Sequence, residues 1–365
     1  MSTPARVVVL PDHEGPLEIR EMDLPDPGPT QVVVRQFASG ICHSQLHQIH
    51  GPRAKPALLG HESTGIVLKK GNAVTHVDEG DTVLLTWVPR DAAGIKDAPP
   101  RISLELPGGG IASHAVFTWA DNTITDHQFV VKADDDIAKD VTAIVGCAVM
   151  TGAGAVLHTA DVQEGESVAV FGVGGVGLSA ICGARMRRAN PIIAVDLSDE
   201  KLAFAKRFGA THGVNASEGD PVEQIRALVD HPNDLAVGGA PVTGVDYAFD
   251  CIGLKTTMEQ IAPACRPGHF GARRGGMAVL VGIPGTNLEL NAGAMIMFEK
   301  QLRGSFGGSC CPDRDFPMFL DWHARGELDL EALVTERYCI DDINEATTAL
   351  EEGRIAGRSI LVFDD

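Results

Sequence analysis

A glycine-rich turn between an apolar strand and a helix is the feature that most constrains this chain. The strand is predicted at 167–171, the turn follows the spacing G-x-G-x-x-G, and the helix is predicted at 178–188. The first glycine of such a turn permits a tight bend, the second lets the backbone approach a pyrophosphate, and the third lets the helix pack on the strand. The helix N-terminus adds unpaired N–H groups for the phosphates. The pattern predicts a dinucleotide site at Gly172, Gly174, Gly175, Val176 and Gly177.

An acidic residue at the end of the next apolar strand indicates which dinucleotide binds. Asp196 follows a strand predicted at 192–195 and lies where a carboxylate accepts hydrogen bonds from the adenosine ribose hydroxyls. It would repel a 2′-phosphate, and no arginine follows it in Leu197-Ser198-Asp199. The expected cofactor is therefore NAD rather than NADP.

Size and charge exclude several classes of protein. A chain of 365 residues favours two domains. It has no apolar run of the roughly 18–20 residues that a membrane helix needs, and no signal-peptide core at its N-terminus, so we expect a cytoplasmic protein. The net charge of −19 argues against nucleic acid or an anionic membrane as a partner.

Two kinds of secondary-structure pattern divide the chain. Up to about Gly146 short β-branched runs predict a partly antiparallel barrel, with strands at 7–10, 32–37, 65–68, 82–87 and 115–118. From about Thr151 strands alternate with helices, which predicts a parallel, doubly wound sheet. The later strands are predicted at 247–251 and 277–281, and the helices at 177–188, 200–208, 221–229 and 256–265. After Gly304 the pattern predicts helices at 315–324 and 343–352 and a last strand at 359–363.

The cysteines serve in metal binding, catalysis or burial, and their spacing implies that any zinc is held by dispersed ligands. A cytoplasmic chain keeps its thiols reduced, and none of the eight cysteines forms a C-x-x-C pair. Cys42, His61 and Cys147 together would form the Cys₂His set of a catalytic zinc, which leaves a fourth position for substrate or water. Taken singly, each has an ordinary structural interpretation, as a small buried thiol or a hydrogen-bonded turn residue.

Three motifs before the glycine-rich turn carry a family resemblance. They are GICHSQLH from Gly40, GHESTG from Gly60 and GCAVMTGAG from Gly146. In this order they closely resemble the zinc-containing alcohol dehydrogenases of the medium-chain dehydrogenase/reductase superfamily, and the resemblance covers nearly the whole chain. It implies an α/β fold, with a doubly wound parallel Rossmann sheet and a strand-rich, barrel-like catalytic domain. The expected domains are 1–150 with 306–365 (catalytic) and 151–305 (dinucleotide-binding).

The resemblance also implies a role for individual residues around the metal. Cys42, His61 and Cys147 would bind one catalytic Zn²⁺, and Glu62 would be the nearby carboxylate that approaches the metal when a ligand exchanges. Ser44 would contact the substrate oxygen, and His47 would accept the proton at the solvent end of a relay.

Further roles concern the cofactor and the substrate. His43 and Arg358 would contact the cofactor pyrophosphate, Ile252 the adenine and Lys201 the adenosine ribose. Trp87 would line the substrate pocket.

The reaction implied by the family is hydride transfer from a zinc-bound alkoxide to NAD, which yields an aldehyde or ketone. The resemblance also implies a homo-oligomer, either a dimer or a tetramer, acting on a small-molecule alcohol or carbonyl compound.

Two departures from the family pattern bear on the metal. Many members carry four closely spaced cysteines that bind a structural zinc, but the corresponding stretch, Val88 to Gly110, contains none. We therefore expect one zinc per chain. Gln45 stands where the family usually has an aspartate that supports a ligand imidazole, and an amide adds no negative charge there, so the zinc should be more electrophilic and less tightly held.

Alternative functions share the same fold. A nicotinoprotein would keep NAD permanently bound, and a non-enzymatic binding protein would show no turnover. A zinc-free enone or quinone reductase would not need the complete set of metal ligands. For the substrate, Arg53 and Lys55 either contact an acidic group or are solvated surface charges, and Ala112 would widen the pocket if it faces it.

Overall fold

The computed structural model describes residues 2–91, 101–236, 239, 241–268 and 273–364. The chain divides into two compact units, residues 1–148 with 311–365, and residues 149–310. The roles that the sequence assigns to the two domains stay predictions. No helix in the described parts of the chain is long and apolar enough to cross a membrane.

The first unit is rich in β-structure. Its strands are β1 Thr3–Leu10, β2 Glu18–Leu24, β3 Gln31–Ile41, β4 Ala57–Leu58, β5 Ser63–Lys70, β6 Thr82–Leu85, β7 Ile102–Glu105, β8 Ile111–His114, β9 Asn122–Asp126 and β10 Val130–Lys132. A seven-stranded sheet has the order β10-β6-β5-β3, continues into two strands from the C-terminal part of the chain, and also pairs β9 with β3. β2, β1 and β4 form a smaller sheet, and β7 and β8 form a hairpin.

The helices of this unit are short at the N-terminal end and longer near the C-terminus. α1 spans His43–Ile49, directly after β3. α2, Ala148–Gly154, begins at the boundary between the units and continues as one π-helical turn at Ala155–Thr159.

The second unit is a doubly wound sheet, as the sequence predicts. Its main strands are β11 Val168–Phe171, β12 Ile192–Asp196, β13 His212–Asn215, β16 Tyr247–Asp250, β17 Met277–Leu280 and β18 Gln301–Gly304, and a separate hairpin consists of β14 Asp230–Leu235 and β15 Pro241–Thr243. All neighbours in the main sheet are parallel, in the order β13-β12-β11-β16-β17-β18. The strand order therefore reverses between β11 and β16, the point at which such sheets bind dinucleotides.

Helices connect the parallel strands. They are α3 Gly175–Met186, α4 Asp199–Phe208, α5 Pro221–Leu228, α6 Lys255–Ala264 and α7 Ala292–Met297. The C-terminal part of the chain then returns to the first unit with α8 Pro312–Ala324, α9 Leu330–Leu333, β19 Val334–Tyr338, α10 Ile343–Glu351 and β20 Arg358–Val362. β20 pairs antiparallel with β3, so the C-terminal segment completes the larger sheet of the first unit.

One predicted strand is wrong. Residues 115–118 form no strand and lie between β8 and β9. The hydroxyl groups of Thr123 and Thr125 donate to the carbonyls of Phe117 and Ala115, at 2.5 and 2.8 Å. Because side chains satisfy these backbone groups, the segment can bury Phe117 without a neighbouring strand.

The β7–β8 hairpin overlaps the stretch Val88 to Gly110, which contains no cysteine. Its described part is held by packing, because Ile102 and Leu104 are buried against Phe117 in one apolar cluster. Ala112 is also buried in this cluster. The expectation that it could widen a substrate pocket is therefore wrong, since its side chain belongs to the core.

Acid should destabilise this hairpin through His114. Its ring is 4% exposed and stacks edge-on against Phe117 at 4.5 Å between centroids. Burial lowers the pKa of His114 to about 4, outweighing the opposite effect of the backbone at Ile124. The unfolded chain thus binds the proton at a higher pH than the folded chain. Stability should fall by about 3 kcal/mol as the pH drops from about 6.5 to about 4.

Urea unfolding at several pH values tests this expectation. His114→Leu should flatten the loss of stability between these pH values. His13→Leu, at an exposed histidine, serves as the control and should retain the wild-type slope. A His114→Leu protein that loses stability as steeply as the wild type would show that another group is responsible.

Candidate active site

Three side chains from separate segments of the first unit converge on one point. Cys42 lies between β3 and α1, His61 directly before β5, and Cys147 directly before α2. Their potential ligand atoms all lie within 4.8 Å of one another. Both thiols are buried, and Nε2 of His61 is shielded from solvent without a hydrogen-bond partner among the described residues. Two thiols and an unpaired imidazole nitrogen are donors that suit zinc.

The surroundings of Cys42 and Cys147 shift the pKa values of the two thiols in opposite directions. The hydrogen bond with Cys147 lowers the pKa of Cys42 well below its usual value, and Arg358 and His61 act in the same direction. The same contact raises the pKa of Cys147 well above its usual value. Each thiol therefore influences the ionisation of the other. A metal cation bound beside both would favour the ionised form of both, because zinc binds cysteine as the thiolate.

Glu62 forms a buried ion pair beside the cluster. Its Oε1 accepts from the guanidinium of Arg358, and its Oε2 accepts from the Ala148 N–H at 3.2 Å. Burial raises the pKa of Glu62. Burial also opposes the charge on Arg358, but Cys42 and Glu62 outweigh it and the pKa of Arg358 lies above its ordinary value. If Glu62 approached a metal, or Arg358 a pyrophosphate, this ion pair would have to break. Both predicted roles stay predictions.

Gln45 contacts two of the three candidate ligand residues. Its Oε1 accepts from the Cys42 N–H at 2.9 Å, and its Nε2 lies 2.5 Å from Nδ1 of His61. The side chain is 1% exposed. The sequence singled out this residue, but the contact with Cys42 depends on the start of α1 and was not expected.

Trp87 lies beside the metal cluster. Its ring meets the ring of His61 edge-on, with 6.4 Å between centroids and an interplanar angle of 79°. A bulky ring at this distance restricts the space next to His61. The placement supports the predicted pocket role, which stays a prediction.

The predicted proton relay lies on α1. Ser44 and His47 are three residues apart and so lie on neighbouring positions of one helix face. The Ser44 hydroxyl is shielded from solvent and has no hydrogen-bond partner among the described residues. His47 is exposed, and so is His43. One turn of helix thus joins a sheltered hydroxyl to a solvent-exposed imidazole.

The two basic candidates for an acidic substrate group differ in their surroundings. Arg53 donates to the backbone carbonyls of Ile49, His13 and Gly15. Its guanidinium therefore holds the loop after α1 through contacts with backbone carbonyls. Lys55 is exposed.

The glycine-rich turn in the second unit has the geometry that a dinucleotide needs. Gly172 has a φ of +84°, and a Cβ there would lie 2.2 Å from the side chain of Ile252. A Cβ at Gly177 would lie 1.8 Å from the Gly172 carbonyl oxygen, so the helix could not pack as closely. A Cβ at Gly174 would meet nothing within 4 Å, which leaves space for a ligand to approach the backbone. Gly175 and Val176 form the first turn of α3.

Asp196 is fixed at the same edge of the sheet. Its Oδ2 accepts from the Val173 N–H at 3.0 Å, and its Oδ1 accepts from the Leu197 N–H at 2.8 Å. The carboxylate thus holds the glycine-rich turn in addition to its predicted contact with the ribose. Lys201 lies in the first turn of α4, where its backbone N–H is capped by Ser198.

Exposed apolar side chains follow four of the parallel strands. They are Leu197 after β12, Ile252 after β16, Ile283 after β17 and Phe306 after β18, the last of which is 82% exposed. Large exposed apolar residues that cluster at one edge of a sheet are typical of a ligand surface. The sequence analysis named Ile252 but missed Ile283 and Phe306, although their place directly after strands could have indicated them.

Comparisons with known proteins agree with this geometry. Residues 28–135 match the family model of the alcohol dehydrogenase GroES-like domain, and residues 175–325 match that of the zinc-binding dehydrogenases. A class-3 alcohol dehydrogenase of Cereibacter sphaeroides is 32% identical over 98% of this chain and 99% of its own length. An S-(hydroxymethyl)glutathione dehydrogenase of Paracoccus denitrificans is 29% identical over 98% of this chain and 99% of its own length.

Solved structures show the same fold. The crystal structure of benzyl alcohol dehydrogenase from Acinetobacter calcoaceticus matches with a TM-score of 0.83 and 25% identity, covering 99% of this chain and all of that one. An alcohol dehydrogenase zinc-binding domain protein from Burkholderia ambifaria matches with a TM-score of 0.85 and 28% identity, covering both chains fully.

Proposed function

We propose that this chain oxidises a small-molecule alcohol to an aldehyde or ketone with NAD, and that it catalyses the reverse reaction. The chain belongs to the zinc-containing alcohol dehydrogenase family of the medium-chain dehydrogenase/reductase superfamily. The convergence of Cys42, His61 and Cys147, together with the buried and unpaired Nε2 of His61, is the observation that carries this proposal. These three residues would hold one zinc ion. When bound, zinc acts as a Lewis acid that makes an alcohol easier to deprotonate.

The chain's own residues would bind the substrate and conduct its proton. The sheltered Ser44 hydroxyl would hydrogen-bond the substrate oxygen, and the exposed His47 would pass the proton to solvent. Trp87 would exclude water and bulky groups from the space beside His61. The turn at Gly172–Gly177 and the carboxylate of Asp196 would bind the dinucleotide, which would supply the hydride acceptor for alcohol oxidation. A homo-oligomeric state and a cytoplasmic location stay predictions.

His47→Gln should slow alcohol oxidation below about pH 7 without loss of zinc or NAD binding. An imidazole exchanges protons near neutral pH, and hydroxide should partly replace it as the pH rises. The measurement is the pH–rate profile of kcat. His50→Gln, at the exposed C-cap of α1, is the matched control and should keep the wild-type profile. Overlaid profiles for His47→Gln and wild type would rule out a relay through His47.

A screen of NADH formation tests the proposed activity. The panel should contain primary, secondary, aromatic and carboxylated alcohols, including benzyl alcohol and S-(hydroxymethyl)glutathione. We expect turnover with at least one neutral alcohol. The guanidinium of Arg53, a candidate contact for an acidic substrate group, already donates to backbone carbonyls. Absence of turnover across the panel, with zinc and NAD bound, would favour a binding protein instead. NAD that survives desalting would favour a nicotinoprotein.

A further inference from the structure

One buried hydroxyl links the segment that carries Trp87 to the segment that carries Cys147. Thr86 lies directly after β6 and is fully buried. Its Oγ1 lies 2.7 Å from the Gly146 carbonyl oxygen and 3.3 Å from the Val88 backbone nitrogen. A carbonyl can only accept and an N–H can only donate, so the hydroxyl donates to Gly146 and accepts from Val88. It therefore serves both segments at once.

The first of these bonds fixes the peptide group that leads into Cys147. The Gly146 carbonyl and the Cys147 N–H belong to one planar peptide group. Cys147 has φ −145° and ψ −65°, which is neither helical nor extended, so its place depends on the contacts of its neighbouring peptides. On the other side, the Ala148 N–H donates to Oε2 of Glu62 at 3.2 Å. Thr86 and Glu62 thus hold the two peptide groups that flank Cys147.

Close packing leaves little space around this link. A Cβ added at Gly146 would lie 2.2 Å from the Leu85 carbonyl oxygen, so the backbone before Cys147 lies directly against the end of β6. The backbone N–H of Thr86 also donates to the Phe129 carbonyl at 3.1 Å. A displacement of Thr86 would therefore move the peptide group before Cys147, because closely packed atoms transmit such shifts.

The second bond fixes the backbone around Trp87. A threonine hydroxyl that accepts from the N–H two residues further on closes a local turn, and Trp87 is the residue inside this turn. The ring of Trp87 meets the ring of His61 edge-on, with 6.4 Å between centroids. The Thr86 hydroxyl thus acts on the position of the indole beside one candidate ligand and on the position of a second ligand, Cys147.

We propose that Thr86 is a positioning residue that holds Trp87 and Cys147 in a fixed relation and so limits the size of the alcohol that reaches the metal. This inference rests on the proposed function, in which Cys147 binds the metal and Trp87 lines the substrate space. Because its hydroxyl is engaged by Gly146 and Val88, Thr86 acts through its neighbours. Valine nearly matches threonine in shape but can form neither hydrogen bond, whereas serine keeps the hydroxyl.

The first readout is the ratio of kcat/KM between a bulky and a small primary alcohol that the wild type oxidises, such as benzyl alcohol and ethanol. Thr86→Val should raise this ratio at least about 5-fold, because a Trp87 that is no longer held leaves more room for the bulky alcohol. Thr86→Ser should keep the wild-type ratio.

Thr125→Val is the matched control for the loss of a buried hydroxyl. The hydroxyl of Thr125, which is also fully buried, donates to the Ala115 carbonyl at 2.8 Å, outside the metal cluster. This variant should lose stability but keep the wild-type ratio.

Spectra of the cobalt-substituted protein give a second readout that does not depend on activity. Co²⁺ would take the place of zinc, and its thiolate charge-transfer and d–d bands report the geometry of the ligands. We expect these bands to shift in Thr86→Val and to match the wild type in Thr86→Ser and Thr125→Val. Thr86→Ala removes the same hydroxyl and replaces the valine variant if that variant does not fold.

A wild-type ratio or wild-type cobalt bands in Thr86→Val would overturn the role of Thr86. Equal changes in Thr125→Val would also overturn it, because they would show a general effect of lost stability. In both cases the proposed function would stand, provided that the wild type binds metal and oxidises alcohols. A wild-type chain that binds no metal or oxidises no alcohol would overturn both.

Discussion

Cys147→Ala is expected to abolish zinc retention and to lower kcat/KM for alcohol oxidation by on the order of 10³-fold or more. The thiol lies at the metal cluster, and its loss leaves Cys42 and His61 as the remaining candidate ligands of this cluster among the described residues. Two ligands hold zinc poorly, and the polarisation of the substrate oxygen, which contributes several kcal/mol, is lost with it. The measurement combines zinc content after gel filtration with steady-state kinetics.

Cys265→Ala provides the matched control. Cys265 is also buried, but it lies in the core of the second unit. We expect this variant to keep its zinc and most of its activity while losing some stability, because the substitution removes only a buried sulfur. A Cys147→Ala protein that retains both zinc and turnover would show that Cys147 is not a ligand.

NAD should be preferred over NADP by roughly 100-fold in kcat/KM, and Asp196→Asn should reduce this preference at least about 10-fold. A carboxylate beside the 2′-phosphate of NADP costs about 3 kcal/mol in a partly desolvated site. Asparagine keeps one acceptor oxygen for the backbone N–H groups of Val173 or Leu197, so the glycine-rich turn should stay in place.

Asp199→Asn tests whether any nearby negative charge has the same effect. Asp199 lies three positions further on, in the first turn of α4, and contacts the Asn215 side chain. This variant should keep the wild-type cofactor preference. Equal use of the two cofactors by the wild type would contradict the assigned role of Asp196.

Much of the second unit could be predicted from sequence because its strands are buried on both faces. Such strands are continuous apolar runs, and the strands predicted at 167–171 and 277–281 match Val168–Phe171 and Met277–Leu280 closely. Glycine and acidic residues directly after these runs mark their ends. The doubly wound topology follows from the alternation of strands and helices, and the structure confirms it.

Strands at sheet edges were missed. β2 and β13 are each outermost in their sheets, and their side chains are mostly partly exposed. An edge strand needs no continuous apolar face, so charged residues such as those in β2 hide it from a pattern search. The opposite error occurred at 115–118, where a strand was predicted but threonine hydroxyls donate to the backbone carbonyls of Ala115 and Phe117.

The convergence of the metal cluster could not be derived from a sequence pattern alone. Cys42, His61 and Cys147 come from three separate segments, and no local pattern links them. The Glu62–Arg358 pair joins residues 296 positions apart. The double contact of Gln45 depends on α1, a helix of seven residues that is too short for a periodic signal. Contacts of this kind are products of the tertiary fold.

Zinc stoichiometry measured together with activity, before and after chelation, tests the central claim most directly. Elemental analysis should find about one zinc per chain, because Val88 to Gly110 contains no cysteine and the described part of this region is held by apolar packing. Removal of the zinc should abolish alcohol oxidation while most of the fold remains, and added zinc should restore it. Two tightly held zinc ions per chain, or full activity in metal-free protein, would contradict the account.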